Sequence, residues 1–132
     1  MKTPATILIV DDNPTNLKLA ADLLEIEGHT IALAHDAEQA QEVLKITQPD
    51  LILMDIQMPG MDGLTLTRLL KSNPSYQHIP IVALTAFAMK GDEDKAREAG
   101  CLSYIIKPIE TRKLPDQVAE ILAAAPKSKI DI

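Results

Sequence analysis

Four short polar groupings in this chain carry residue types that do chemistry: Asp11-Asp12, Asp55, Thr85-Ala86 and Lys107. Each follows a short apolar run: Thr6 to Val10, Leu51 to Met54, Pro80 to Leu84, and Ser103 to Ile106. Carboxylates brought to one edge would repel by about 4 kcal/mol per pair at close range, so a cation is expected among Asp11, Asp12 and Asp55. All-oxygen ligands suit Mg²⁺ or Mn²⁺ rather than zinc. A Mg²⁺ held by few carboxylates keeps room for an anionic oxygen, which is the arrangement of a phosphoryl-transfer site. Lys107 then suits a phosphoryl oxygen as a point charge. The Thr85 hydroxyl and the backbone N–H of Ala86 are candidate hydrogen-bond donors to the remaining oxygens. No Ser, Cys or His stands at these run ends to act as nucleophile. A carboxylate can serve and form an acyl phosphate, and Asp55 is the candidate because it stands alone.

Singly, each grouping has a plainer reading. Paired aspartates cap helices, and a Lys-Pro step is an ordinary loop. Their joint occurrence in order, each at a strand end, makes the functional reading the stronger one. Parallel α/β sheets bind ligands outside the carboxyl ends of their strands.

The elements that must position these groups follow from the apolar pattern. Short apolar runs alternate with stretches of helical period, the signature of a parallel α/β sheet. The run from Thr6 to Val10 is apolar enough for a strand covered on both faces. Asn13-Pro14 is an N-cap followed by a first-turn proline; Leu17, Ala20, Ala21 and Leu24 share one helical face, and Gly28 supplies the stop. His29 to Ala34 reads as a second strand, and Asp36 or its neighbour opens a helix carrying Ala37, Ala40, Val43 and Leu44. Gln57 to Gly63 is dense in turn residues, and the helix after it is expected to present Leu66, Leu69 and Leu70. A fourth helix begins near Gly91 and ends at Gly100. The last carries Leu114, Val118, Ile121 and Leu122. The reading is a single domain with its core in about residues 5–124 and a C-terminal tail at 125–132.

Composition excludes several functions. The chain has 132 residues and a net charge of −6, from 13 Lys+Arg against 19 Asp+Glu. That balance removes the attraction that holds proteins on nucleic-acid phosphates or anionic membranes. Tyr76, Phe87 and Tyr104 are its rings, with no Trp, too few for base stacking. Cys101 is the lone cysteine, which excludes an internal disulfide and is read as a small buried apolar residue. The first apolar run is too short for a signal peptide or a span, so a cytoplasmic location is expected. His29, His35 and His78 are read as surface or turn residues, Asp62 as a helix cap, and Tyr76 as loop. Met54, Met58 and Met61 are read as core or loop packing.

Taken together, Ile9-Val10-Asp11-Asp12-Asn13, Leu53 to Gly63, Leu84-Thr85-Ala86 and Tyr104-Ile105-Ile106-Lys107-Pro108 resemble the receiver domain of two-component response regulators. The resemblance spans roughly Ala5 to Ala124. The stretch Thr85 to Asp92 is most similar to single-domain regulators of the DivK type, or to receivers of hybrid kinases. It implies a flavodoxin-like fold of five parallel strands, doubly wound, in order 2-1-3-4-5. It further implies that Asp55 is the phospho-acceptor, fed by a histidine kinase or histidine phosphotransfer protein. Asp12 and Asp55 would bind Mg²⁺ directly with the Gln57 backbone carbonyl, Asp11 mostly through water, and Lys107 would pair with the phosphoryl group. Thr85 and Tyr104 would be the switch pair, remodelling the face of the fourth helix, fifth strand and fifth helix for a downstream protein reader. Pro108 matches a cis proline. An alternative is an aspartate-nucleophile phosphatase of the haloacid-dehalogenase type. That chemistry needs a second acid two residues after the nucleophile, where this chain has Gln57. A nucleotide- or flavin-binding reading lacks a Gly-rich turn after the first strand.

Overall fold

The computed structural model describes residues 4–58, 60–85, 92–107 and 110–124. Strands and helices alternate: β1 Thr6–Val10, α1 Pro14–Ile26, β2 Thr30–Ala34, α2 Ala37–Ile46, β3 Leu51–Asp55, α3 Gly63–Lys71, β4 Ile81–Thr85, α4 Asp92–Ala99, β5 Ser103–Ile106 and α5 Leu114–Ala124. All strand pairs are parallel, in the order β2-β1-β3-β4-β5. The expected α/β class and strand order hold.

Strand side chains alternate between two cores, as the period of two in an extended chain requires. Leu8, Val10, Ile52, Met54, Ile81 and Ala83 pack with Ala40 and Leu44 of α2, Leu66 and Leu70 of α3, and Ala96 of α4. Ile7, Ile9, Leu51, Leu53, Val82, Leu84 and Ile105 pack with Leu17, Ala20 and Leu24 of α1 and Leu114 and Val118 of α5. Burial on both faces is why β1, β3 and β4 read as unbroken apolar runs. Met54 and Met58 are buried, as expected, whereas Met61 is partly exposed. Cys101 is buried as expected.

The helix boundaries follow capping chemistry. Asn13 accepts from the N–H groups of Thr15 and Asn16, Asp36 from Gln39, and Asp62 from Thr65. Gly28 and Gly100 follow α1 and α4 with φ of +97° and +115°, the left-handed region that ends helices cheaply at glycine.

Two sequence expectations are corrected. His29 is not a surface residue. It precedes β2 rather than opening it, is buried, and its Nδ1 accepts from the Ala5 N–H at 3.0 Å. Leu69 does not share the buried face of α3: it is 47% exposed, and Thr67 occupies the core-facing position instead. Tyr76 lies in the connection after α3, as expected, and packs against the core. His35 and His78 are exposed, as expected. Among the described residues, no helix is long and apolar enough to cross a membrane.

Candidate functional site

Strand register brings the polar run ends together. Val10 pairs with Met54, so Asp11 and Asp55, one residue on, emerge side by side from adjacent strands. Asp55 pairs with Leu84 and Thr85 with Ile106, which sets Thr85 and Lys107 on the neighbouring ends. The Lys107 N–H extends the ladder by donating to the Thr85 carbonyl at 2.7 Å.

Local turns then aim the carboxylates. Asp11 Oδ1 accepts from the Asn13 N–H and Asp55 Oδ1 accepts from the Gln57 N–H, both at 2.9 Å. Each acid thus folds back on the backbone two residues ahead, an Asx turn that leaves its Oδ2 outside that bond. Lys107 Nζ meets both of those oxygens, at 2.9 Å from Asp11 and 3.3 Å from Asp55. The Asp11 contact is an ion pair rather than an aligned hydrogen bond, so that buried oxygen retains capacity for a further cation. Asn13 therefore has two functions: it caps α1 with its side chain and fixes Asp11 with its N–H.

Helix α3 approaches the same strand end closely. A Cβ on Gly63 would overlap the Asp55 carbonyl oxygen and stand 2.8 Å from Ile56 Cα. Gly63 therefore serves a close approach rather than the turn its surroundings suggested. The signal available in the sequence was a glycine immediately after the capping Asp62, where any small residue would start a helix.

Asp11 and Asp55 are 1% and 2% exposed, whereas Asp12 is open to solvent. Burial lifts the Asp55 carboxyl from its ordinary 3.8 to about 6, against the Gln57 hydrogen bond, which lowers it; the Asp11 charge raises it further, and Lys107 lowers it. Burial pulls the Lys107 ammonium down, but the Asp11 contact and the charges of both acids more than offset it, and its pKa is raised. One oxygen each from Asp11, Asp12 and Asp55 lie within 4.8 Å of one another. Three carboxylates, two of them buried, against one ammonium leave a negative excess at this sheet edge, and the donors are all oxygen. That set fits a hard divalent cation such as Mg²⁺.

A protein-family model, the response regulator receiver domain, matches residues 7–119. The chain belongs to the response regulator receiver family. A curated relative, the polar-differentiation response regulator DivK of Brucella anthropi, is 42% identical over 122 residues, 92% of this chain and 99% of that protein. Among solved structures, the signal receiver domain of a signal transduction histidine kinase from Syntrophus aciditrophicus is 32% identical with a TM-score of 0.82, covering 97% of this chain and 98% of that one. The receiver domain of a sensor histidine kinase from Pseudomonas aeruginosa is 31% identical with a TM-score of 0.82, covering 92% and 100%. That structure has a magnesium ion coordinated in its active-site cleft.

Against this receiver frame, the structure brings together Asp11, Asp12, Asp55 and Lys107, with Thr85 buried on the neighbouring strand end. Gln57 meets the site through its N–H. Tyr104, on β5, is half-buried against the core. Ala86, expected to offer an N–H, and Pro108, expected to be cis, lie outside the described residues, as do Phe87 and the tail at 125–132.

Proposed function

We propose that this receiver accepts a phosphoryl group on Asp55 from a phosphohistidine of a histidine kinase or histidine phosphotransfer protein. The observation that carries the reading is the setting of Asp55: a buried carboxylate fixed by the Gln57 N–H, faced by Lys107 and grouped with two further acids. In the transfer the phosphorus–nitrogen bond to the imidazole breaks as a bond forms from an Asp55 carboxylate oxygen. Asp11, Asp12 and Asp55, with the Gln57 carbonyl, would hold Mg²⁺, which when bound neutralises charge on the phosphoryl oxygens. Lys107 shifts its ammonium from the carboxylate toward a phosphoryl oxygen and stabilises charge there.

The product places a charge near −2 and three acceptor oxygens where a carboxylate stood. Thr85, at the adjacent strand end, donates its hydroxyl to one of them, with the Ala86 N–H as a second donor. Tyr104 repacks with it, and the face of α4, β5 and α5 shifts toward a conformer that a downstream protein prefers. The chain works as one receiver domain in the cytoplasm, through protein partners rather than nucleic acid or membrane. Acceptance of the phosphoryl group is its chemistry, without turnover of an external substrate.

Incubation with acetyl phosphate and Mg²⁺, followed by intact-mass measurement, tests the assignment. One phosphoryl adduct on the wild type and none on Asp55→Asn is expected. An adduct that survives Asp55→Asn overturns it.

A further inference from the structure

Two buried polar side chains among the described residues stand apart from the acidic cluster: His29, at the opposite end of the sheet, and Thr67, on α3. Thr67 is completely buried, and its hydroxyl donates to the Gly63 carbonyl one turn earlier at 2.7 Å. Gly63 in turn is the residue seated on the Asp55–Ile56 peptide. We propose that Thr67 is a positioning residue for phosphoryl acceptance, its hydroxyl holding the first turn of α3 against the end of β3 so that Asp55 stays aimed. The inference rests on the assignment of Asp55 as acceptor.

The physical need arises from Gly63 itself. Only a residue without a Cβ permits this approach, yet glycine is the residue with the most backbone freedom to lose. The side chain of the capping Asp62 holds the Thr65 N–H and its carbonyl takes the Leu66 N–H, but neither bond reaches the Gly63 carbonyl. The Thr67 hydroxyl supplies a second hydrogen bond to that carbonyl beyond the ordinary helical one. Behind it the Cys101 thiol, in the segment leading into β5, is 4.0 Å from the hydroxyl oxygen. Any rocking of the first turn passes directly to the 55–56 peptide. The next residue, Gln57, donates the N–H that fixes Asp55 Oδ1.

The test compares Thr67→Val, which keeps the shape and removes the donor, with Thr67→Ser, which keeps the donor. Two readouts are used at saturating Mg²⁺: the rate of labelling by acetyl phosphate, and the chemical shift and exchange rate of the Gln57 amide. Thr67→Val should label about five- to tenfold more slowly, the scale of a small misplacement of a reacting group. Its half-saturating concentration of acetyl phosphate should be unchanged, its Gln57 amide should shift and exchange faster, and Thr67→Ser should restore both. Wild-type labelling rate and an unmoved Gln57 amide in Thr67→Val would overturn the inference. So would a Thr67→Ser variant as impaired as Thr67→Val. A wild type that takes no label overturns the acceptor assignment instead, while the Gln57 amide still reports on the link from Thr67.

Discussion

Lys107 Nζ stands 3.3 Å from Asp55 Oδ2, the carboxylate oxygen that the Gln57 N–H does not occupy. The two oxygens of this acid are therefore differently held, one by a fixed backbone donor and one by a side chain that can move. Asp11 repeats the arrangement, with Asn13 in the place of Gln57. Lys107 compensates two buried acids at once.

The raised Asp55 pKa makes the stability of the metal-free protein depend on pH. A carboxyl whose folded pKa of about 6 exceeds its ordinary 3.8 favours the fold when protonated. Its contribution is fully present below the ordinary value and is lost as pH rises through about 6. Denaturant unfolding in chelator should show Asp55→Asn gaining on the wild type as pH rises, by on the order of 2 kcal/mol at neutral pH. The comparison with Asp55→Asn matters because the two proteins share every other titratable group, so their difference isolates the Asp55 carboxyl. A difference between the two proteins that does not change with pH would contradict this.

Lys107→Met removes the cation shared by Asp11 and Asp55. Breaking one side of a buried ion pair leaves uncompensated charge and costs about 3 kcal/mol at neutral pH. Acidification should recover part of it as Asp55 takes a proton. Labelling by acetyl phosphate should slow even at saturating Mg²⁺. Urea midpoints at two pH values, together with labelling rates, check both statements.

Asp12 is the exposed member of the acidic group, so Asp12→Asn should leave the metal-free fold nearly unchanged. Losing one charged ligand should weaken Mg²⁺ binding by about tenfold, or about 1.4 kcal/mol. Titration calorimetry measures the affinity. Thermal unfolding with and without Mg²⁺ should show a smaller metal-dependent rise in Tm than the wild type.

Gly63→Ala places a methyl group against the Asp55 carbonyl oxygen and Ile56 Cα. Backbone cannot move aside as a side-chain tip would, so overpacking of about 1–3 kcal/mol is expected. Labelling should fall as well, since the strand end that yields is the one carrying Asp55. Chemical denaturation and acetyl phosphate labelling would show whether stability and acceptance fall together.

Lys71 holds a second junction. Its ammonium donates to the Gln77 and Ile79 carbonyls at 3.1 and 2.6 Å, and its Cγ lies 2.6 Å from where a Cβ on Gly100 would be. Lys71→Ala should cost about 1–2 kcal/mol, the scale of charged hydrogen bonds that are partly exposed. Because the junction lies beyond the C-terminal end of α3, away from the acids, labelling should stay at the wild-type rate. A loss of labelling at unchanged stability would show that the junction reaches the site.

What the sequence determined by itself is local. Apolar runs specified β1 to β5, Asn13, Asp36 and Asp62 specified three helix starts, and Gly28 and Gly100 specified two helix ends. Such signals are legible because caps and left-handed stops are satisfied within a few residues. The polar strand ends were legible too, since a hydrophobic run that stops on an acid or a lysine announces itself.

Only the tertiary structure decided how those ends meet: one lysine between two acids, each acid tied to its own backbone, and a glycine seated on the Asp55–Ile56 peptide. It also decided that His29 is buried, that Thr67 rather than Leu69 faces the core, and that Tyr76 packs inward. Residue type and spacing could not foretell these, because each depends on contacts between segments far apart in the chain. A helical face with Leu66, Thr67, Leu69 and Leu70 has two plausible apolar stripes. Which one is buried is set by the rotation of α3 about its own axis, and the close approach of Gly63 to the Asp55–Ile56 backbone constrains that rotation.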